Sequence, residues 1–305
     1  MSDNGNNLCG LKIEPAQSTQ QFNDPGVFPE LMNRAAFADR LVLGIDGRKR
    51  ERLPKTITDV KNYAVGGPKR PYARSVHGTY APTGNNFEFK YGSNPRFRNL
   101  YDMKLIAHSE AAPICLEEVT EVVDRLCRKG YQITVQEVEF TRDVSIPFKF
   151  FENHIMASAS VRTEEDELGR KTLYAARPRG PWTLRVYEKT PQLNRVEFVF
   201  RHSFLVRAGI NGLANLADLK NVDCARLVTF PTICQNALED FVGRLKGKLA
   251  EKQLRIILEW PGRRPLQDLL DVLKYHGLPG NQILRPSPAD KLLADMQKSV
   301  VWGTK

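Results

Sequence analysis

Nine lysines and arginines stand between Arg170 and Arg207 (positions 170, 171, 177, 179, 185, 189, 195, 201 and 207) against two acids, Glu188 and Glu197. The same stretch holds Tyr174, Trp182 and Tyr187. Cations that neutralise phosphates, interleaved with rings that stack on bases, are what a nucleic-acid-binding surface needs. The plain alternative is a solvated sheet face on which arginine stems lie over apolar neighbours. The outnumbered acids carry more information than the cations. A carboxylate on a face built only for a polyanion repels its ligand, so it serves better as an arginine partner or as an oxygen ligand for a hard divalent cation. Glu139 and Asp143, further upstream, bring the carboxylates to four on three neighbouring strand candidates. Spacing alone leaves structural ion pairs and a metal site both open.

The elements that must position these groups are strands. Lys171–Ala176, Trp182–Lys189 and Leu193–Arg201 are strand candidates separated by short turns with Pro178, Gly180 and Pro191, the pattern of an antiparallel meander. Alternation places Arg195, Glu197, Val199 and Arg201 on one side, and Arg185, Tyr187 and Lys189 together. It puts Glu188 with Leu184 and Val186, so Glu188 sits among apolar groups unless a bulge re-aims it. Tyr131 to Asp143 reads as a long strand with Glu137, Glu139, Thr141 and Asp143 on one face. Before it, residues 116–129 read as a helix, with Val119, Val122, Val123 and Leu126 at helical spacing and Gly130 as its stop. Leu41–Ile45, Asn86–Tyr91 and Met103–Ala107 are further strand candidates. Residues 48–74 form a basic loop with at most short strands, holding nine Lys/Arg and two acids, and residues 162–170 form an acidic turn.

Residues 1–35 are polar, without an apolar period, and read as a flexible arm. From 210 to 305 the pattern is helical. Helices are expected over Asn236–Lys252 and Leu266–His276, and a last one opens at Ser287, Pro288 and Asp290. Ile256, Ile257, Leu258 and Trp260 suit a buried strand instead. Strands, a helix, strands and then helices give an α+β fold with a mostly antiparallel central sheet, flanking helices and a helical C-terminal segment. No repeat shows at solenoid periods.

Several chemistries are set aside. There is no phosphate-loop motif, no Gly-x-Ser-x-Gly elbow and no HExxH, and the five histidines are solitary. Five scattered cysteines make no CxxC pair and read as reduced thiols. No apolar run reaches a membrane span, and the first 30 residues lack an apolar signal core, so a cytoplasmic protein without a membrane partner is expected. The formal net charge is +10. The stretches 48–74 and 170–207 each carry nine cations against two acids, so the remainder is net acidic and the positive charge is localised.

Three pieces in order, Thr172-Leu-Tyr174-Ala-Ala-Arg177, Leu184-Arg185-Val-Tyr187-Glu188-Lys189 and Arg195-Val-Glu197, resemble the trans-acting rolling-circle replication initiators of plasmids and filamentous phages. Glu139-Phe-Thr-Arg-Asp143 looks like that family's upstream acidic pair, and the resemblance covers about residues 38–205. The family's Gly-Ser after the tyrosine is Ala175-Ala176 here. The resemblance implies an initiator that nicks and rejoins an origin strand. Tyr174 would be the nucleophile, forming a 5′-phosphotyrosyl link, and Tyr187, the competing nucleophile, would be structural. Glu139, Asp143, Glu188 and Glu197 would bind Mg²⁺ or Mn²⁺, and Arg177, Arg179, Arg185, Lys189, Arg195 and Arg201 would hold DNA.

The implied domains are an arm over 1–35, a nicking and joining domain over 36–209, and a C-terminal region over 210–305 for DNA recognition or dimerisation. The implied partners are origin DNA, single-stranded or hairpin at the nick, with a host helicase and polymerase, and a homodimer. A nicking-inactive origin-binding regulator and an RNA-binding protein remain the alternatives.

Overall fold

The computed structural model describes residues 36–298 and 302, except 50–54, 65–68, 98–99, 111, 178, 248, 260–264 and 278–281. The expected arm over 1–35 and Trp260 lie outside the described residues.

The fold is α+β and is dominated by one ten-stranded sheet. In chain order its strands are β1 (Phe37–Asp46), β2 (Ile57–Ala64), β3 (Tyr72–Tyr80), β4 (Asn86–Ser93), β5 (Met103–His108), β6 (Gln132–Val144), β8 (Val161–Glu165), β9 (Lys171–Ala175), β10 (Trp182–Thr190) and β11 (Leu193–Arg201). The short β7 (Met156–Ala157) pairs outside it with β12 (Val228–Thr229), and β13 (Thr232–Ile233) pairs with β14 (Leu284–Arg285). The helices are α1 (Leu116–Leu126), α2 (Phe148–His154), α3 (His202–Arg207), α4 (Gln235–Leu245), α5 (Glu251–Leu258), α6 (Leu266–Tyr275) and α7 (Pro288–Lys298).

The spatial order is β2-β3-β4-β5-β1-β6-β11-β10-β9-β8, and each ladder is antiparallel. It is symmetric about the β1–β6 ladder. Outward from β1 run β5, β4, β3 and β2, and outward from β6 run β11, β10, β9 and β8. Each half is therefore a long central strand whose chain goes to the sheet edge and returns by a four-stranded meander, followed by a helix, α1 or α3. The two copies run Phe37–Leu126 and Gln132–Arg207.

One sheet face makes the main core. Leu41, Leu43 and Ile45 of β1 pack there with Val138 and Phe140 of β6, Phe198 and Phe200 of β11, and Leu184 and Val186 of β10. Helix α1 adds Val119, Val122, Val123 and Leu126, each side chain stabilising the fold by roughly 1.5–3 kcal/mol on burial. Its chain leaves through Gly130 at φ +86°, a left-handed turn that a side chain resists, and so enters β6 directly. The alternation of β6, β10 and β11 leaves the polar residues on the opposite face.

Several elements differ from expectation. The basic loop contains β2 and β3, and the acidic turn contains β8. Both β2 and β8 are sheet edges, so they bury one face poorly and show no clean alternation. In β2, Lys61 and a bulge between Thr58 and Lys61 protect the edge. The helix expected over 236–252 breaks into α4 and α5, because Gly247 turns left-handed at φ +82°. Ile256–Leu258 ends α5 instead of forming a strand, with Leu254 and Ile257, three residues apart, buried and Ile256 39% exposed, a helical rather than a two-residue pattern.

The region after 210 serves two cores. Ile210, Leu216, Leu219, Val222, Val228, Phe230 and α7 residues Ala289 and Leu293 join the sheet's core, while α4, α5 and α6 close a second one around Leu238, Phe241, Leu254, Leu269 and Leu273. Helix α7 starts as its residues dictate. The Ser287 amide donates to Asp290 Oδ2 at 2.9 Å, and the Asp290 amide donates to Ser287 Oγ at 3.2 Å, a reciprocal cap. Among the described residues no helix is long and apolar enough to cross a membrane, and Cys115, Cys127, Cys224 and Cys234 are free thiols.

Candidate active site

The polar face of β6, β11, β10 and β9 is a grid set by register. Thr141 stands across from Glu197, Glu197 across from Arg185, Arg185 across from Tyr174, and Tyr174 across from Arg162 of β8. The next row runs from Asp143 through Arg195 to Tyr187. Side chains at such positions share a face by the two-residue period of a strand.

Asp39 joins this grid through an irregularity. The β1–β6 register shifts between Ala38 and Arg40, leaving Asp39 as the extra residue. Such a bulge turns two successive side chains toward the same face. Arg40 reaches Glu137 at 2.7 Å, and Asp39 accepts from Thr141 Oγ1 at 3.4 Å. As a result, carboxylate oxygens of Asp39, Glu139 and Glu197 lie within 4.8 Å of one another, with the two glutamates buried.

Arg185 is the counter-charge of this trio. Its Nη2 lies 2.8 Å from Glu139 and 2.7 Å from Glu197 Oε2. The Oε2 contact lacks hydrogen-bond alignment, so Glu197 Oε2 is a buried oxygen without a hydrogen-bond partner in the structure, as is Arg185 Nε on the donor side. One guanidinium does not offset three carboxylates. Burial, with the charge of Glu197, pushes Glu139 up to about 7 despite Arg185. Burial also raises Glu197 against Arg185 and Tyr187, and raises Asp39 against Arg195. Three crowded oxygen donors, protonated more readily than usual and one of them unsatisfied, fit a hard divalent cation.

The sequence-predicted residues divide in this setting. Glu139 and Glu197 are in the trio. Asp143 is not, because Arg195 holds it at 2.7 and 3.1 Å and Lys189 at 2.8 Å. Burial alone would raise Asp143, but those two cations keep it below the usual carboxylate range. Glu188 is exposed on the other face. The β10–β11 register runs unbroken from Trp182 to Glu188 and shifts only beyond it, so no bulge re-aims Glu188 and it stands outside the carboxylate cluster. Asp39 takes the third place. The apolar run from Leu41 gives no sign that the strand starts at Phe37, and a bulge leaves no mark in alternation.

The two tyrosines differ in surroundings. Tyr187 donates to Glu197 Oε1 at 2.6 Å, and burial with that bond raises its phenol well above the ordinary value. Tyr174 is half-buried, next to Arg185 in register, with the Arg162 guanidinium 4.5 Å from its ring centre, and its hydroxyl bonds to no described residue. Arg162 and Asp39 are the site residues that sequence patterning missed.

The cations also divide. Arg185, Lys189 and Arg195 neutralise carboxylates of the face. Arg201 pairs with Glu137 at 3.1 Å and donates to Gly180 O and Thr183 Oγ1 at 3.0 and 2.9 Å, so it fastens the loop that follows Tyr174. Thr183 Oγ1 in turn donates to Arg177 O at 3.1 Å. Arg177 and Arg179, on that loop, are exposed and make no ion pair with a described residue.

No protein-family model matches the chain, and no curated protein matches it. Among solved structures it is similar to the rolling circle replication initiator protein from Geobacillus stearothermophilus, at 14% sequence identity and a TM-score of 0.42, covering 78% of this chain and 96% of that chain. At that TM-score the likeness carries neither fold nor function across.

The geometry therefore contains three parts on one sheet face. They are an oxygen trio suited to a cation, a neighbouring phenol outside the hydrogen-bonded network, and two exposed arginines on the loop just beyond it.

Proposed function

We propose that the chain is a rolling-circle DNA replication initiator that nicks and rejoins an origin strand through a phosphotyrosine intermediate on Tyr174. The observation that carries this reading is the register Tyr174–Arg185–Glu197, which sets a half-exposed phenol beside the guanidinium that bridges Glu139 and Glu197. The ordered resemblance of the three strand motifs supports it.

Asp39, Glu139 and Glu197 would hold a divalent cation, Mg²⁺ or Mn²⁺, with Asp143 fixed by Arg195 as support. Bound there, the cation supplies positive charge to a scissile phosphate. Tyr174 Oη forms a bond to phosphorus while the bond from phosphorus to O3′ breaks. The phenol's proton passes to solvent, and the 3′ oxygen leaves as a hydroxyl. The phosphotyrosyl link keeps the bond energy, so attack by a 3′-hydroxyl reverses the step without a nucleotide cofactor. Arg177 and Arg179 reach the phosphates from the loop, and Arg185 shields the carboxylates from the DNA.

A single-stranded oligonucleotide containing the origin hairpin, incubated with Mn²⁺, should yield a covalent protein–DNA adduct that disappears in Tyr174→Phe. An adduct that survives Tyr174→Phe and is lost in Tyr187→Phe moves the nucleophile. No adduct in the wild type, together with tight DNA binding, makes the chain a non-nicking origin-binding regulator, and preference for RNA rejects the DNA reading.

A further inference from the structure

The sheet has two halves of one topology, and the tyrosine and two of the three clustered carboxylates, Glu139 and Glu197, lie in the β6–β11 half, with Asp39 on the adjoining β1. The polar face of the other half has the opposite charge problem. On β4 and β5, Lys90 stands directly across from Lys104, two like charges on one face, an arrangement that destabilises a ladder unless an anion lies between them. Lys90 has a partner in Glu88 at 3.0 Å. Lys104 has no carboxylate within ion-pair distance among the described residues. Its half-buried ammonium is held below the usual lysine range by burial, by Lys90 and by Arg40, against the more distant Glu137 and Glu88.

In the β6–β11 half the facing cations Arg185, Lys189, Arg195 and Arg201 are all matched by acids. Among the described strand residues of this face, Lys104 is thus a cation without an ion-pair partner, apart from the exposed Arg177 and Arg179 on the loop after Tyr174. Strands are roughly 5 Å apart, so two lysines facing each other across one ladder suit a single phosphate. Beside them the Tyr101 ring covers Gly44, where an added Cβ would lie 2.4 Å from the ring, and so keeps an aromatic surface next to the lysines. Tyr63, 49% exposed, stands edge-on to His77 nearer the sheet edge.

We propose that the polar face of β2 to β5 is a second DNA-backbone surface that holds the strand flanking the tyrosine site, with Lys90 and Lys104 contacting its phosphate. The inference rests on the DNA reading above. The two-fold topology gives it a physical basis, since a strand crossing the β1–β6 ladder meets equivalent strand directions on both sides.

The test uses the full chain without divalent cation, so that binding is read apart from cleavage. A fluorescein-labelled single strand of about 30 nucleotides is titrated by anisotropy across a salt series, for wild type and for Lys90→Gln/Lys104→Met, whose apolar stems preserve the packing. Lys252→Ala on exposed α5 is the control. The double variant should bind roughly 10-fold more weakly at ~0.1 M salt, and its slope of log affinity against log salt should be shallower by about 1.4, for two cations lost at ~0.7 each on a single strand. Lys252→Ala should match wild type, and thermal unfolding of the double variant should stay close to the wild-type temperature, because relief of the lysine repulsion offsets loss of the Lys90–Glu88 pair. DNA binding with an unchanged slope overturns this inference alone. A wild type that binds no DNA overturns the DNA reading as well, and equal displacement by poly-glutamate overturns the assignment to DNA.

Discussion

Arg185 makes the sharpest demand on the structure. It faces Glu139 and Glu197, whose side chains are 8% and 4% exposed, and it is the cation nearest both. Replacing it with methionine keeps the stem and removes the charge. Taking one partner from a buried pair costs about 3–5 kcal/mol. The Arg185 side chain is 34% exposed, so water shares the load and about 3 kcal/mol is expected. The cost should grow with pH. Glu139, raised from 4.5 to about 7, binds a proton in the native state that the unfolded chain has already released, so its contribution to stability falls as pH rises from 4.5 through 7. Without Arg185 that fall continues to higher pH. Urea unfolding at pH 6 and pH 8, with and without Mn²⁺, reads both effects. The metal-free variant should lose more at pH 8 than at pH 6. Saturating Mn²⁺ should restore about 2–3 kcal/mol, the linkage expected at some 100 times Kd. Adding Glu139→Gln should relieve the loss at pH 8 and weaken the response to Mn²⁺. An Arg185→Met protein as stable as wild type at pH 8 without metal, or one indifferent to Mn²⁺, refutes the account of Arg185 as a stand-in for a cation.

Two other perturbations test the scaffold. Ala176, buried at φ +68° just after the Tyr174 strand, is in the left-handed region, so Ala176→Gly should stabilise by about 0.5 kcal/mol after the entropy of glycine is subtracted, while Ala176→Val should lose stability; chemical denaturation compares them. Ser287→Ala removes half of the reciprocal cap of α7 and should cost about 1 kcal/mol in thermal or urea unfolding, whereas Ser287→Asp should recover most of it.

Much of the fold is legible from residue spacing. Helix α1 follows its valine stripe, β9 to β11 follow their alternation on either side of the turns with Gly180 and Pro191, and α7 follows Ser287 and Asp290. The same alternation put Arg185 with Tyr187 and grouped Glu139 with Asp143. What failed had physical causes. Edge strands β2 and β8 bury too little to alternate, and Gly247 interrupts an otherwise helical run. Glu188 follows strand parity to the far face despite its place in a motif.

The amino-acid pattern by itself determined which side chains share a strand face, because the two-residue period is local and needs no partner. It also determined where positive charge is concentrated and that a tyrosine stands inside that region. Which acids meet is a tertiary matter. Asp39 reaches Glu139 and Glu197 through a bulge between β1 and β6. Asp143 is withdrawn by Arg195 across β11. The halves of the sheet are joined through the long-range β1–β6 ladder. Pairing between strands a hundred residues apart fixes these distances, and no local preference encodes it.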